Sequence, residues 1–313
     1  MAHTIPAYKS AEYVKEKTTV DILWKQLGTL QDVAEEFGIE NIFQDNGAEI
    51  LQQLIYLNMK AVPGREGNDG VDINGCEWEM KSLDISKGNG GITTNHHLNH
   101  DIIEKYKTVP WSISIYDRIH LKKIYVVGNE QLQPIFQIWE QQLQTLDSLN
   151  NPKIPLATIE AQGTLIFEEG MDFPIDPMTV IDTKPYVPLQ KAYFDKIRKR
   201  HEATEATKAV KKAESGLERA KEKRASNEKD ALKKREAAEE AVPAAKKAAD
   251  KAYTAACQKA DRAKQKETDK VAELNQARIF EEAAIVAATT ADEAFSTALT
   301  TFQHLCNAAP VTI

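Results

Sequence analysis

GNDGVDINGCEWEMKS, residues 67–82, sets Asp69, Asp72 and Glu77 ahead of a Glu79-x-Lys81 pair, around an Asn74-Gly75 dipeptide. Asn-Gly accepts positive φ and predicts a hairpin turn. On the returning strand the two-residue period turns Glu77, Glu79 and Lys81 to one face and Trp78 and Met80 to the other. Where Asp69 falls depends on the turn. A two-residue turn pairs Ile73 with Cys76 and sets Asp69 opposite Met80, on the wrong face. A three-residue turn with a bulge pairs Asp72 with Cys76 and sets Asp69 opposite Glu79. Only the second gathers Asp69, Glu79 and Lys81. Two carboxylates then suit a hard cation such as Mg²⁺. A lysine beside them can orient or deprotonate a water and neutralise charge on a phosphorane. Asp72 and Glu77 read as ordinary hairpin charges.

The rest of the chain bounds this reading. Its 313 residues suffice for two domains. The first seventeen, MAHTIPAYKSAEYVKEK, have no apolar core, so a secretory signal is not expected, and no run is apolar enough to span a bilayer. Three widely spaced cysteines argue against a disulfide framework and a zinc site. A cytoplasmic protein is expected. The net charge is −7, and residues 1–200 hold 20 Lys+Arg against 28 Asp+Glu. An acidic first part is poor at non-specific DNA binding, so positive charge for DNA must be gathered in a cleft.

Two kinds of sequence follow one another. Up to about residue 170 the chain reads as mixed α/β. Helices are expected over 20–37 (Ile22, Leu23, Leu27, Leu30, Val33 and Phe37 at helical spacing, Gly38 as stop) and over 48–59, with Ile50, Leu51, Leu54, Ile55 and Leu57 inside. Strands are expected over 110–117, 121–127 and 164–169, and a helix from 129, bent or begun at Pro134. Residues 172–188 hold four prolines and no period and read as a linker, giving a nuclease-sized domain over 1–170 and a linker over 171–190. Residues 201–300 then contain 28 alanines, one glycine and one proline. This is long helix or coiled coil over 191–308, broken at Pro243 into a hairpin; steps of three and four from Val271 give Leu274, Arg278, Glu281, Ile285, Ala288, Asp292, Phe295, Leu299, Phe302 and Cys306, a seam apolar in its last part and not in its first.

FQDNG (43–47), VPGREGNDGVD (62–72), EWEMKS (77–82), HHLN (96–99), KYKTVPW (105–111) and NNPKIP (150–155) occur in this order. Together they resemble the PvuII family of restriction endonucleases, within the PD-(D/E)-x-K superfamily, over roughly residues 20–170. The resemblance implies a restriction-endonuclease-like α/β core with a mixed central sheet. It implies a homodimer on double-stranded DNA, Mg²⁺ as cofactor, and a blunt cut at a palindrome, CAGCTG in the type member. A cognate DNA methyltransferase is the expected companion.

By the same resemblance Asp69 and Glu79 match the metal-binding carboxylates and Lys81 the catalytic lysine, with Glu66 and Tyr106 near them. Asp45 matches a residue approaching the DNA at the minor groove. His96 and His97 match major-groove base readers, and Asn150 another base contact. Lys153 suits a phosphate. A histidine nitrogen can donate to guanine O6 or N7, and an asparagine amide can serve adenine or guanine edges. The family's type has three consecutive histidines where this chain has Asn95-His96-His97, which bears on the recognition sequence more than on the chemistry. Glu49, in the helix after FQDNG, stands where the wider superfamily can place a third acidic ligand, and reads here as a surface charge near a helix N-terminus. The alternatives are a repair or defence nuclease that senses DNA structure, and a non-catalytic DNA-binding scaffold working through its helices.

Overall fold

The computed structural model describes residues 10–44, 46–62, 68–88, 90–94 and 96–308, without the side chains of 13, 16 and 306–308. Asp45, Glu66 and Asn95, among the expected site residues, lie outside the described residues. The chain divides into two compact units, residues 1–191 with 298–313, and residues 192–297.

In the first unit, helix α1 (Ala11–Glu36) and helix α2 (Gly47–Leu57) lead into two-residue strands β1 (Lys60–Ala61) and β2 (Gly70–Val71), and then into β3 (Glu77–Asp84). Strand β4 (Gly91–Thr93), helix α3 (His100–Tyr106), strands β5 (Trp111–Asp117) and β6 (His120–Val127) and helix α4 (Asn129–Leu143) follow. Strand β7 (Lys153–Pro155), helix α5 (Leu156–Gln162) and strand β8 (Thr164–Glu168) complete the α/β part. Six strands form one mixed sheet in the order β1-β2-β3-β5-β6-β8, with β3 and β5 parallel and the other pairs antiparallel. Strands β4 and β7 form a separate antiparallel pair.

Strand β5 explains the layers. Trp111, Ile113 and Ile115 turn to one face and join α4 residues Leu132, Phe136 and Trp139 in the main apolar core. The opposite face is polar and still buried: Ser112 donates to Gln53 of α2 at 2.9 Å, and the Tyr116 hydroxyl lies 3.1 Å from Gln52 Oε1. Both faces of the strand are covered, as is usual where a parallel pair is central.

Several details depart from the sequence reading. Leu51, Leu54 and Leu57 of α2 are buried, but Ile55 is 47% exposed, because only one stripe of this helix meets the sheet. The apolar spacing of α1 is helical, yet Ile22, Leu23, Trp24, Leu30 and Val33 are exposed and Ala34 is its buried residue. Helix α4 starts at Asn129 and runs through Pro134. The proline-rich run read as a linker is folded onto the unit. Asp176 caps a single 3-10 turn at Pro177–Thr179, Thr183 is buried, and helix α6 (Tyr186–Glu239) begins inside the run, with Tyr186 and Leu189 buried.

Helix α7 (Pro243–Ala308) starts at the proline expected to break the helix. In the second unit the two helices run antiparallel, since Arg200–Asp292 (2.9 Å), Glu214–Arg278 (2.9 Å) and Arg224–Glu267 (3.2 Å) pair rising with falling residue numbers. Val210, Leu217 and Leu274 pack between them. Buried positions recur at multiples of seven residues, at Val210 and Leu217 on α6 and at Leu274, Ala288 and Phe295 on α7. Among the described residues no helix is long and apolar enough to cross a membrane.

Candidate active site

The opening stretch resolves into the wider of its two turns. Gly70 pairs with Trp78 and Val71 with Glu77. The Asp72 N–H donates to the Cys76 carbonyl at 2.9 Å, leaving Ile73, Asn74 and Gly75 as a three-residue loop. Gly75 takes φ +80°, open to glycine and costly for most other residues. The same register sets Asp69 opposite Glu79, its N–H bonded to the Trp78 carbonyl at 3.0 Å. The condition that the sequence left open is therefore met.

Asp72 makes this loop. One of its oxygens accepts from the N–H groups of Asn74 (2.8 Å) and Cys76 (3.0 Å), and the other accepts from the Trp78 indole at 3.0 Å. It is buried, so it is a structural anchor and not the ordinary hairpin charge that its sequence position suggested. Glu77 is likewise engaged, by the Asn68 side-chain amide at 2.7 Å.

Asp69, Glu79 and Lys81 lie together. The Lys81 ammonium is 2.5 Å from Glu79 Oε1, and Asp69 Oδ2 accepts the Met80 N–H at 2.7 Å. The burial of Asp69, then the nearby Glu79, push its carboxyl up to about 6, against the opposing pull of Lys81 and the Met80 N–H. For Lys81 burial works against the charge, but Glu79, Tyr106 and Asp69 outweigh it and raise the lysine above its ordinary value. Tyr106 is buried with its ring 5.9 Å from the Lys81 nitrogen and 4.7 Å from the Trp111 ring; burial, the largest cause, raises its hydroxyl.

This cluster borders an open cavity of about 360 Å³ lined by Asp69 and Lys81, by Asn46 just before α2 and Glu49 and Gln53 within it, and by Thr93 and Thr94 at the end of β4. Glu49, read from sequence as a surface charge, faces this cavity. Its place after FQDNG left a third acidic ligand possible, but spacing alone could not choose that reading, because the meeting of α2 with β3 is a tertiary contact.

The expected base-reading residues gather elsewhere, on the β4–β7 finger. Thr93 pairs with Lys153, and Leu98 with Leu149 through two backbone bonds of 3.0 and 2.8 Å. Between those rungs the segment with His96 and His97 faces the one with Asn150 and Asn151. His96, His97, Asn150 and Lys153 are all exposed. Asn151, passed over in sequence, takes φ +50°, and its buried side-chain oxygen has no hydrogen-bond partner among the described residues. The adjacent Asn150 was the only hint of it. Gly91 is needed here, since a Cβ would sit 2.7 Å from the Ile154 carbonyl oxygen.

A mixed α/β sheet with one carboxylate just before β2 and a second carboxylate and a lysine on β3 is compatible with several hydrolases, and comparison with known families supports one of them, a type II restriction endonuclease. Residues 15–167, just under half of the chain, match the sequence model of the family described as Restriction endonuclease PvuII, so this part is PvuII-like. The match ends before α6, and the long helical region lies outside it.

Proposed function

We propose that the protein is a homodimeric, Mg²⁺-dependent endonuclease that cuts double-stranded DNA at a palindromic site, leaving blunt ends with 5′-phosphates. The observation that carries the chemistry is the three-residue register, which sets Asp69 across from Glu79 with Lys81 bonded to Glu79. Among the described residues no group of three potential ligands gathers, so the case for a metal rests on two carboxylates. They fit a hard cation. The hydrogen bonds described engage one oxygen of each, and the raised Asp69 carboxyl marks repulsion that a cation would relieve. When bound, Mg²⁺ would acidify a water and offset charge on the phosphate.

Lys81 acts as a fixed positive charge. Its raised pKa keeps the proton on Nζ at neutral pH, which favours orienting a water and neutralising the phosphorane over abstracting a proton. A water oxygen attacks phosphorus, the P–O3′ bond breaks, and a 5′-phosphate and a 3′-hydroxyl result. Tyr106 keeps the Lys81 nitrogen in place from beneath. Recognition belongs to the finger: His96, His97 and Asn150 contact base edges, with Asn95 beside them, and Lys153 meets a phosphate. Asp45 and Glu66 take the minor-groove approach and the site's margin in this proposal, on the sequence resemblance of FQDNG and VPGREGNDGVD.

The dimer is supported by α1, whose exposed Val20, Leu23 and Trp24 share one side of the helix and suit a second copy. A two-fold dimer matches a palindrome and sets one site on each strand. The long helices form a two-stranded coiled coil by their seven-residue burial. A methyltransferase of the same specificity is the companion that would protect host DNA.

The test is to incubate a plasmid of known sequence with the full chain and Mg²⁺, and to sequence the ends. Blunt ends at one palindrome support the proposal, and CAGCTG would extend the likeness to the type member. Cuts without a common sequence would favour a structure-sensing nuclease. Metal-dependent binding without any cut would favour a scaffold.

A further inference from the structure

We infer that Gln190, in the helical extension outside the family match, is a positioning residue for hydrolysis, its side-chain amide holding the start of β3 and thereby the carboxylate of Glu79. The inference rests on the nuclease reading above.

Gln190 is 4% exposed and sits in the first turns of α6. Its Oε1 accepts the Glu77 N–H at 2.9 Å. Its Nε2 donates to the Glu77 carbonyl at 2.9 Å and to the Thr108 carbonyl at 3.1 Å, and lies 3.3 Å from Cys76 Sγ. The parallel ladder between β3 and β5 starts at Glu79, opposite Trp111, where the Glu79 N–H donates to the Pro110 carbonyl at 3.1 Å. Glu77 is two residues earlier, so its N–H and carbonyl point to the same edge of the strand. By then the chain leading into β5 has diverged, and among the described residues no strand receives them. Gln190 supplies what a neighbouring peptide group would, one acceptor and one donor for Glu77, and bridges the gap to Thr108. A buried strand end with these groups unpaired would be costly.

The helix that carries Gln190 is itself tied to the same unit. Asn74 of the hairpin loop donates to the Thr183 hydroxyl at 3.0 Å. The Asn129 N–H donates to the Tyr186 hydroxyl at 3.0 Å, and the Tyr186 ring packs on Phe302 at 4.5 Å. The segment leading into α6 and its first turns thus meet the hairpin that bears Asp69 and Glu79 at two places, its loop and the start of β3. Groups that orient a ligand without touching the reacting atoms alter metal affinity or activity by about tenfold or more when lost.

The test uses the full chain with Gln190→Met, which keeps length and apolar bulk and removes every hydrogen bond, beside Gln190→Ala, which removes both. Two readouts are taken: amide hydrogen exchange over residues 77–82, and plasmid cleavage as a function of Mg²⁺ and DNA concentration. The expected result is exchange about tenfold faster over 77–82 in both variants. The Mg²⁺ needed for half-maximal cleavage should rise about tenfold, with the KM for DNA unchanged. If packing alone mattered, Gln190→Met would match the wild type and only Gln190→Ala would shift; that result overturns the inference. Should Gln190→Met fail to fold, Gln190→Asn carries the same amide on a shorter stem. It should shift both readouts in the same direction by less, and no shift refutes the role. A wild-type chain that cuts no DNA sinks the nuclease reading and this inference with it. A wild type that cuts, with unshifted variants, sinks the inference alone.

Discussion

Replacing Asp69 by asparagine should stabilise the folded nuclease unit at neutral pH while removing its activity. The size follows from the carboxyl, which stands at about 6 in the fold against 3.8 for an ordinary aspartate. Burial and the nearness of Glu79 resist its ionisation more than Lys81, the Met80 N–H and Lys105 assist it. A shift of roughly two units is about 3 kcal/mol, and partial solvent access to Asp69 reduces this to about 2 kcal/mol. Asparagine is nearly isosteric with the protonated acid and stays uncharged at every pH. The sign is fixed by linkage. Between pH 3.8 and about 6 the folded state binds the proton more tightly than the unfolded state. Wild-type stability therefore falls as pH rises through this window and levels off above it. The advantage of Asp69→Asn should be near zero below pH 4 and full above pH 7.

The assay is urea unfolding in EDTA followed by tryptophan fluorescence. All four tryptophans lie before residue 192, so the signal reports the first unit and is blind to the helical hairpin. A gain of about 2 kcal/mol should raise the midpoint by about 1 M urea at pH 7.5. Mg²⁺ in tenfold excess over its Kd should stabilise the wild type by about 1.4 kcal/mol and leave the variant unmoved. An equal gain at pH 4 and pH 7.5 would refute the electrostatic origin. A wild-type response to Mg²⁺ in the variant would refute Asp69 as a ligand.

Three further substitutions separate chemistry, register and recognition. Lys81→Met should cut cleavage by about a thousandfold and also lower the unfolding midpoint at pH 7.5, because the buried Glu79 and Asp69 carboxylates lose their counter-charge; full cleavage by this variant would exclude the role given to Lys81. Asp72→Ala leaves the Cys76 N–H and the Trp78 indole N–H without acceptors in buried surroundings, at a cost of about 2–4 kcal/mol. The same urea assay should show that loss, and an unchanged midpoint would mean that water or another group replaces the carboxylate. Gly91→Ala drives a Cβ against the Ile154 carbonyl and should separate β4 from β7, costing about 1–3 kcal/mol locally. Anisotropy with a labelled cognate duplex in Ca²⁺ should show weaker binding, and wild-type affinity would disconnect the finger from recognition.

How much of this was legible depends on the distance over which each choice is made. The hairpin was readable from Asn74-Gly75, but its register was not, because that dipeptide suits turns of either length. The deciding group is the Asp72 carboxylate, which gathers two backbone N–H groups and the Trp78 indole. An aspartate two residues before such an asparagine is a local signal for the wider loop. The alternation of β5 and the proline stop before α7 were likewise local and readable. Helix α1 was readable as a helix, but periodicity cannot say whether its apolar residues meet this chain or another. Glu49 was open only as a superfamily possibility and was set aside as a surface charge, and Gln190 was not readable at all. The first reaches the cavity because α2 lies across the sheet. The second meets Glu77 across 113 residues of sequence.

The placement of Gln190 also changes what kind of object the helical region is. A tail added after the last strand would be held at one end. Here the first unit includes both the start of α6, through residue 191, and the end of α7, from residue 298. Tyr186 and Phe302, one from each, pack edge to face at 4.5 Å. The region is an excursion that leaves and returns, and its return helps to hold the turn that carries Gln190. Truncation after residue 191 would therefore strip Phe302 from Tyr186 and loosen the support of β3. Removal of matched seven-residue blocks from α6 and α7 would keep the buried seam in phase and both anchors intact. The length of the hairpin is thus free to vary where its roots are not, which separates the part of the extension that serves the active site from the part available for another purpose.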